Sequence, residues 1–116
     1  MNPEQHSIHE AEKNPKIIIH ICPREDLEAA LRSGQYQANS LTNQGFIHCS
    51  TPEQIGPIRD FLLKQNPGIE FVTLEIDSSR LHAKVKYAGA TGESLYPHVY
   101  GPINTEAVVA VRAVEK

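Results

Sequence analysis

GFIHCSTPEQIGPIRDFLLKQNPGIEFVTLEID, Gly45–Asp77, contains a strand, a helix start, a helix stop and a second strand in that order. GFIHCS (Gly45–Ser50) is short, apolar and partly aromatic, which reads as a strand. Thr51-Pro52-Glu53-Gln54 is a helix start: a Thr cap, a Pro in the first turn, and a Gln positioned for a capping box. Ile55, Ile58 and Leu62 then recur on one side of a helix that ends near Asn66-Pro67-Gly68. EFVTLEID (Glu70–Asp77) alternates Val72, Leu74 and Ile76 against Thr73, Glu75 and Asp77, the period of a strand with one buried face.

Upstream, KIIIHI (Lys16–Ile21) is β-branched and predicts a buried strand. Pro23 fits the first helical position, and Leu27, Ala30 and Leu31 form an apolar stripe on a helix closed by Gly34. A loop rich in Gln, Asn and Ser leads into Gly45–Ser50. Downstream, Ser78–His82 reads as a short helical turn and Ala83–Ala88 as a strand. A Gly89–Gly92 turn precedes the strand SLYPHVYGP, a brief turn follows at Asn104–Glu106, and Ala107–Val114 is a hydrophobic closing strand. The order β-α-β-α followed by strands predicts an α+β fold, with two main helices beside a mixed sheet that can split in two. Doubly wound and all-β folds fit less well. Residues 1–15 read as a disordered polar tail whose His6 and His9 are solvated, and residues 16–116 as a single domain.

A chain of 116 residues is the size of one domain. Its net charge of −3 carries no basic footprint for nucleic acid, and no apolar run approaches the ~18 residues of a membrane span. The charge and the lack of an obvious exposed apolar face are compatible with a monomer. Two cysteines and an N-terminus without a basic-then-apolar signal pattern point to a reducing cytoplasm.

Three strand segments carry histidine where an apolar residue would serve packing. Alternation puts Ile18 and His20 on one face of the first strand, and Phe46, His48 and Ser50 on one face of the second. Tyr96, His98 and Tyr100 share a face of the third, a row suited to stacking on a planar ring and hydrogen bonding to a sugar or phosphate. Any one of these histidines can equally be a satisfied core residue. Tyr36 and Tyr87 read as packing residues, and His82 as solvated. Cys49 and His48, as strand neighbours, point apart and form no nucleophile–base pair. Cys22 stands at a helix start, either a lowered-pKa thiol or a small cap residue. A zinc site from His20, His48 and His98 is open geometrically, but HxH, HExxH and CxxC are absent, so no metal is expected. GxGxxG and GxxxxGK[ST] are absent too, so any nucleotide needs another architecture. Glu93, after a glycine turn, either orients a ribose hydroxyl or is simply solvated.

IIIHICPREDLEAAL, GFIHCSTPEQ, LEIDSSRL and LYPHVYGPIN together resemble an uncharacterised bacterial family, the domains of unknown function numbered nine hundred and fifty-two. The resemblance runs from about Ile17 to Val114. That family is remotely similar to the ADP-ribosyltransferase superfamily, so the resemblance implies an ADP-ribosyltransferase-like split sheet and NAD as a substrate. It implies that His20, followed by Arg24, meets the ribose beside nicotinamide, and that His48 with Ser50 fills the second motif position. The third position usually holds Glu; here Glu93 and His98 compete for it.

The leading expectation is therefore an enzyme of the ADP-ribosyl-transferring type, binding NAD or an ADP-ribose compound and acting at the nicotinamide N-glycosidic bond. His20 and Ser50 hold the ribose, Tyr96 or Tyr100 stacks on nicotinamide, and His98 or Glu93 stabilises charge at the anomeric carbon. On this expectation His20→Ala abolishes ligand binding and leaves thermal unfolding nearly unchanged. The alternatives are a non-catalytic module for a nucleotide or peptide, and a metal-dependent hydrolase using the three histidines.

Overall fold

The computed structural model describes residues 16–89 and 95–115; the N-terminal segment, Glu93 and its neighbours in 90–94, and Lys116 lie outside the described residues. In chain order the elements are β1 (Ile17–Pro23), α1 (Arg24–Ser33), β2 (Gln35–Tyr36), α2 (Asn39–Gln44), β3 (Ile47–His48), α3 (Ile55–Gln65), β4 (Phe71–Asp77), β5 (Lys84–Ala88), β6 (Tyr96–Tyr100), β7 (Ile103–Asn104) and β8 (Val108–Ala113). Single 3-10 turns at Ser78–Arg80 and Thr105–Ala107 precede β5 and β8.

The fold is α+β, with a three-stranded sheet β1-β4-β8, a second three-stranded sheet β3-β6-β5, and a two-stranded ribbon β2-β7. Every pairing among the described residues is antiparallel, so the expected mixed sheet is corrected. The reason lies in the connections: α1 leads from β1 to β2 and α3 from β3 to β4, and in both cases the flanking strands belong to different sheets. Neither helix therefore makes the crossover that parallel strands require.

Alternation accounts for the core. Ile18 and Cys22 of β1 stand opposite Ile76 and Val72 of β4, and Leu74 stands opposite His20; the five apolar side chains are essentially inaccessible. They meet Ile47 and Val99 from the second sheet, Leu27 and Ala30 from α1, and Tyr36, Ile103 and Ala107. Glu75 and Arg112 form an ion pair across β4 and β8. Asn104 is buried with its amide satisfied: Oδ1 accepts from His82 N–H at 3.0 Å, and Nδ2 donates to Arg80 O and Glu106 Oε1, both at 3.1 Å. It joins the two 3-10 turns, and these bonds offset the cost of burying an amide.

Several local expectations change. Pro23 closes β1 opposite Phe71 and caps α1 from an extended conformation (φ −61°, ψ 145°), one residue before the helix rather than inside it. Cys22 is a core strand residue, and burial, with Asp26 nearby, pushes its thiol up to about 12, which removes the reactive-thiol reading. Leu31 is 60% exposed, since only Leu27 and Ala30 of α1 reach the core. Tyr87 is 43% exposed rather than packed. The polar stretch before Gly45 contains the six-residue helix α2, closed like α1 by a left-handed glycine; Gly34 and Gly45 both have φ 89°. Gln54 Oε1 accepts from Thr51 N–H at 2.9 Å, so the capping contact forms, but around a turn that precedes α3. No described helix is long and apolar enough to cross a membrane.

Gly101, between β6 and β7, is required by close approach: a Cβ there would lie 2.9 Å from Cβ of Ala83. Gly101→Ala is expected to destabilise the domain by about 1–3 kcal/mol through overpacking, read as a lowered urea midpoint at unchanged m-value.

Candidate functional site

Gly45–Ser50 passes from one sheet to the other, which is why it does not form the full strand its composition suggests. Ile47 and His48 pair with Val99 and His98 of β6, and Cys49 N–H still reaches Pro97 O at 3.0 Å. Ser50 then turns to β1, exchanging backbone bonds with Ile19 at 2.7 and 2.8 Å. This single bridge joins the two three-stranded sheets, and the cleft opens beside it. Its volume is about 940 Å³, within the range of small-molecule sites.

One wall is the outer face of β3-β6-β5. Register places His48, His98 and Lys86 in line across the three strands, with Tyr100 beside Lys84 and Tyr96 beside Ala88. Phe46 lies over His98, rings stacked with centroids 4.0 Å apart and planes 11° apart. His48 and His98 meet edge to face at 5.6 Å. The opposite wall is α3, which presents Ile55, Ile58, Phe61 and Leu62; no residue of this helix is fully buried. Ile19 and Ile21 of β1 complete the apolar lining. Gln54 ties the foot of α3 to the sheet by donating to Leu95 O at 2.8 Å.

The histidines differ in what they have left to offer. His20 Nδ1 donates to His48 O at 2.7 Å, which leaves Nε2 of the neutral ring to accept from Tyr36 O–H at 2.8 Å. Burial lowers its pKa to about 4, so the ring stays neutral at pH 7. His48 is exposed, and its Nε2 lies 2.5 Å from Gln44 Oε1, which makes that nitrogen the donor. His98 is half-buried, and its Nδ1 is buried without a partner. An unpaired buried N–H is rarer than an unpaired acceptor, so the neutral ring carries its proton on Nε2, a donor for a ligand. Burial and the neighbouring His48 both lower the His98 pKa.

Of the expected site residues, the structure brings His48, Ser50, Tyr96, His98 and Tyr100 to one cleft. His20 borders the same cleft with both ring nitrogens engaged inside the protein. Arg24 does not line it: its Nε bonds Glu70 at 2.7 Å beside a smaller concavity. Glu93 lies outside the described residues. The histidine trio does not assemble a metal site, and among the described residues no three His, Cys, Asp or Glu side chains could hold an ion. Cys49 is buried behind His48, with its thiol pushed up to about 12 by desolvation. The apolar face of α3 and Lys86 were absent from the expected site. The first reads as ordinary core, with no signal to distinguish it, and the second as a solvated strand face, for which only the i+2 spacing of Lys84 and Lys86 was available.

The model of the family described as "Protein of unknown function (DUF952)" matches residues 21–111. The chain belongs to the DUF952 family. No curated protein matches its sequence. Among solved structures, the X-ray crystal structure of protein CC0527 from Caulobacter crescentus is similar at a TM-score of 0.70 and 22% identity, over 85% of this chain and 86% of that one. The solution NMR structure of CC0527 is similar at 0.68 and 23% identity, over 87% and 86%. At these identities the likeness shows a shared fold. The DUF952 match includes His48, Ser50, α3, Tyr96, His98 and Tyr100, so both walls of the cleft belong to the family domain, while His20 falls just before it.

Proposed function

We propose that the cleft binds NAD or an ADP-ribose-containing nucleotide, with an ADP-ribosyltransferase-like split sheet as its frame. The observation that carries this reading is the wall formed by Tyr96, His98, Tyr100 and His48 along a cleft of about 940 Å³. Tyrosine faces suit the planar nicotinamide, and a neutral imidazole N–H and the Ser50 hydroxyl suit ribose oxygens. If the bound nucleotide reacts, the N-glycosidic bond breaks, its electron pair leaves with nicotinamide, and water or an acceptor closes on the anomeric carbon and loses a proton. Charge already on the nicotinamide ring assists departure, so no metal enters the scheme. Of the two groups expected to meet the developing positive charge, Glu93 has the chemistry for it, whereas His98, with its Nε2–H outward, donates to a ligand oxygen, with His48 opposite it on β3. His20 is a positioning residue here, holding His48 through the backbone.

A second reading, a binding module without turnover, is favoured by one observation: no carboxylate lines the cleft among the described residues. Amide-resolved NMR titration with NAD, ADP-ribose and zinc separates the readings. NAD and ADP-ribose are expected to shift signals at His48, Ser50, Tyr96 and His98, and nicotinamide release is then followed by chromatography. Shifts without release support the module. Shifts with zinc alone, or none with either nucleotide, overturn the nucleotide reading.

A further inference from the structure

Three positively charged or protonatable side chains share one line across the outer face of β3-β6-β5: His48 and His98 line the cleft, and Lys86 stands next to His98 just beyond the lining. His48, His98 and Lys86 occupy directly opposed positions on β3, β6 and β5, where neighbouring Cβ atoms lie about 5 Å apart. Lys86 Nζ lies 5.8 Å from the Tyr100 ring centroid, and Lys84 stands opposite Tyr100 on the same face. Neither lysine has an ion-pair partner among the described residues. The chain as a whole carries −3, yet the described cleft lining contains no Asp or Glu. A face of uncompensated cations on an acidic protein attracts an anion.

We infer that the His48–His98–Lys86 row is an anion subsite for the phosphate of the ligand, an inference that rests on the nucleotide reading of the same cleft. The two rings lie 5.6 Å apart, so an oxyanion that accepts from His98 Nε2 sits beside His48, whose own Nε2–H reaches it by exchanging Gln44 Oε1 for the anion. Lys86 on the next strand adds an exposed ammonium. The buried, unpartnered Nδ1 leaves His98 with Nε2 as its donor for such an oxyanion. Burial and, after it, the neighbouring His48 lower the His98 pKa, and an anion on the row offsets the second of these. Phe46, stacked on His98, shields this contact from water on one side and strengthens it.

The test is a set of NMR titrations of the wild-type chain and of Lys86→Gln with pyrophosphate, adenosine and ADP-ribose. Lys86 is exposed, so this variant retains the fold, and its amide spectrum verifies that. Pyrophosphate is expected to move the ring signals of His48 and His98. In Lys86→Gln, pyrophosphate and ADP-ribose are expected to bind at least fivefold more weakly, while adenosine is unchanged. His98→Gln is expected to weaken pyrophosphate by a similar or larger factor. Unmoved histidine signals, or equal pyrophosphate affinity in Lys86→Gln, overturn the subsite. Adenosine binding as tightly as ADP-ribose also overturns it and leaves the nucleotide reading standing. Pyrophosphate bound on the row, with ADP-ribose no tighter, supports the subsite and overturns the nucleotide reading instead.

Discussion

His20→Ala is expected to destabilise the domain by about 3–5 kcal/mol, a large share of the 5–15 kcal/mol that such a domain has. The ring is buried and joins three sheets: it is carried by β1, donates to the backbone of β3, and accepts from Tyr36 of β2. Truncation strands the His48 carbonyl and the Tyr36 hydroxyl, each at about 1–3 kcal/mol, and adds a cavity term. This reverses the expectation drawn from the sequence, in which the same substitution removed ligand binding and spared stability. Tyr36→Phe, which strands Nε2 and removes the hydroxyl from beside the Cys22 thiol, is expected to cost about 1–2 kcal/mol. Urea unfolding followed by circular dichroism measures both. A loss below about 1 kcal/mol for His20→Ala would show that the hydrogen-bonded bridge between the sheets contributes little.

Acid is expected to weaken the fold through the same ring. His20 titrates at about 4 in the folded chain against 6.5 when exposed, so between these values the unfolded state binds more protons. Stability is therefore complete above about pH 6.5, falls as pH drops toward 4, and changes little from this source below it. The full difference amounts to roughly 3 kcal/mol. His98, also lowered, adds in the same direction. Ring signals of His20 are expected to stay constant from pH 7.5 to about 5 while unfolding midpoints fall. Titration of this ring near 6.5 in the folded protein would sink the argument. In His20→Ala the pH dependence over this window is expected to shrink markedly.

The parts of the fold that were legible follow from local periodicity. Val72, Leu74 and Ile76 alternate and are buried as alternation requires; Leu27 and Ala30 face the core; Gly34 ends α1 with positive φ. The pairing of Tyr96, His98 and Tyr100 on one wall followed from period two alone. What was missed depends on distant partners. Five polar residues and the single apolar Leu41 carry no helical stripe, so α2 reads as loop, although Gly45 N–H closes it on Leu41 and Ser40. Ile55, Ile58 and Leu62 form the stripe of a buried helix, yet in the tertiary structure that stripe walls a cleft.

The sequence by itself determined the alternation of strand and helix, the faces of the strands, the glycine stops, and a row of tyrosine and imidazole groups on one face, because each depends on spacing within a few residues. Only the tertiary structure decided that the strands pair antiparallel in separate sheets, since sheet partners are set by packing between segments far apart in the chain. It also decided the use of each histidine. His20 and His98 read alike as imidazoles on apolar strands, but one meets a carbonyl 28 residues away and a tyrosine hydroxyl, whereas the other meets no hydrogen-bond partner at Nδ1. Hydrogen-bond supply at a buried ring is a property of its neighbours in space, and it separates the histidine that holds the sheets together from the one left available to a ligand.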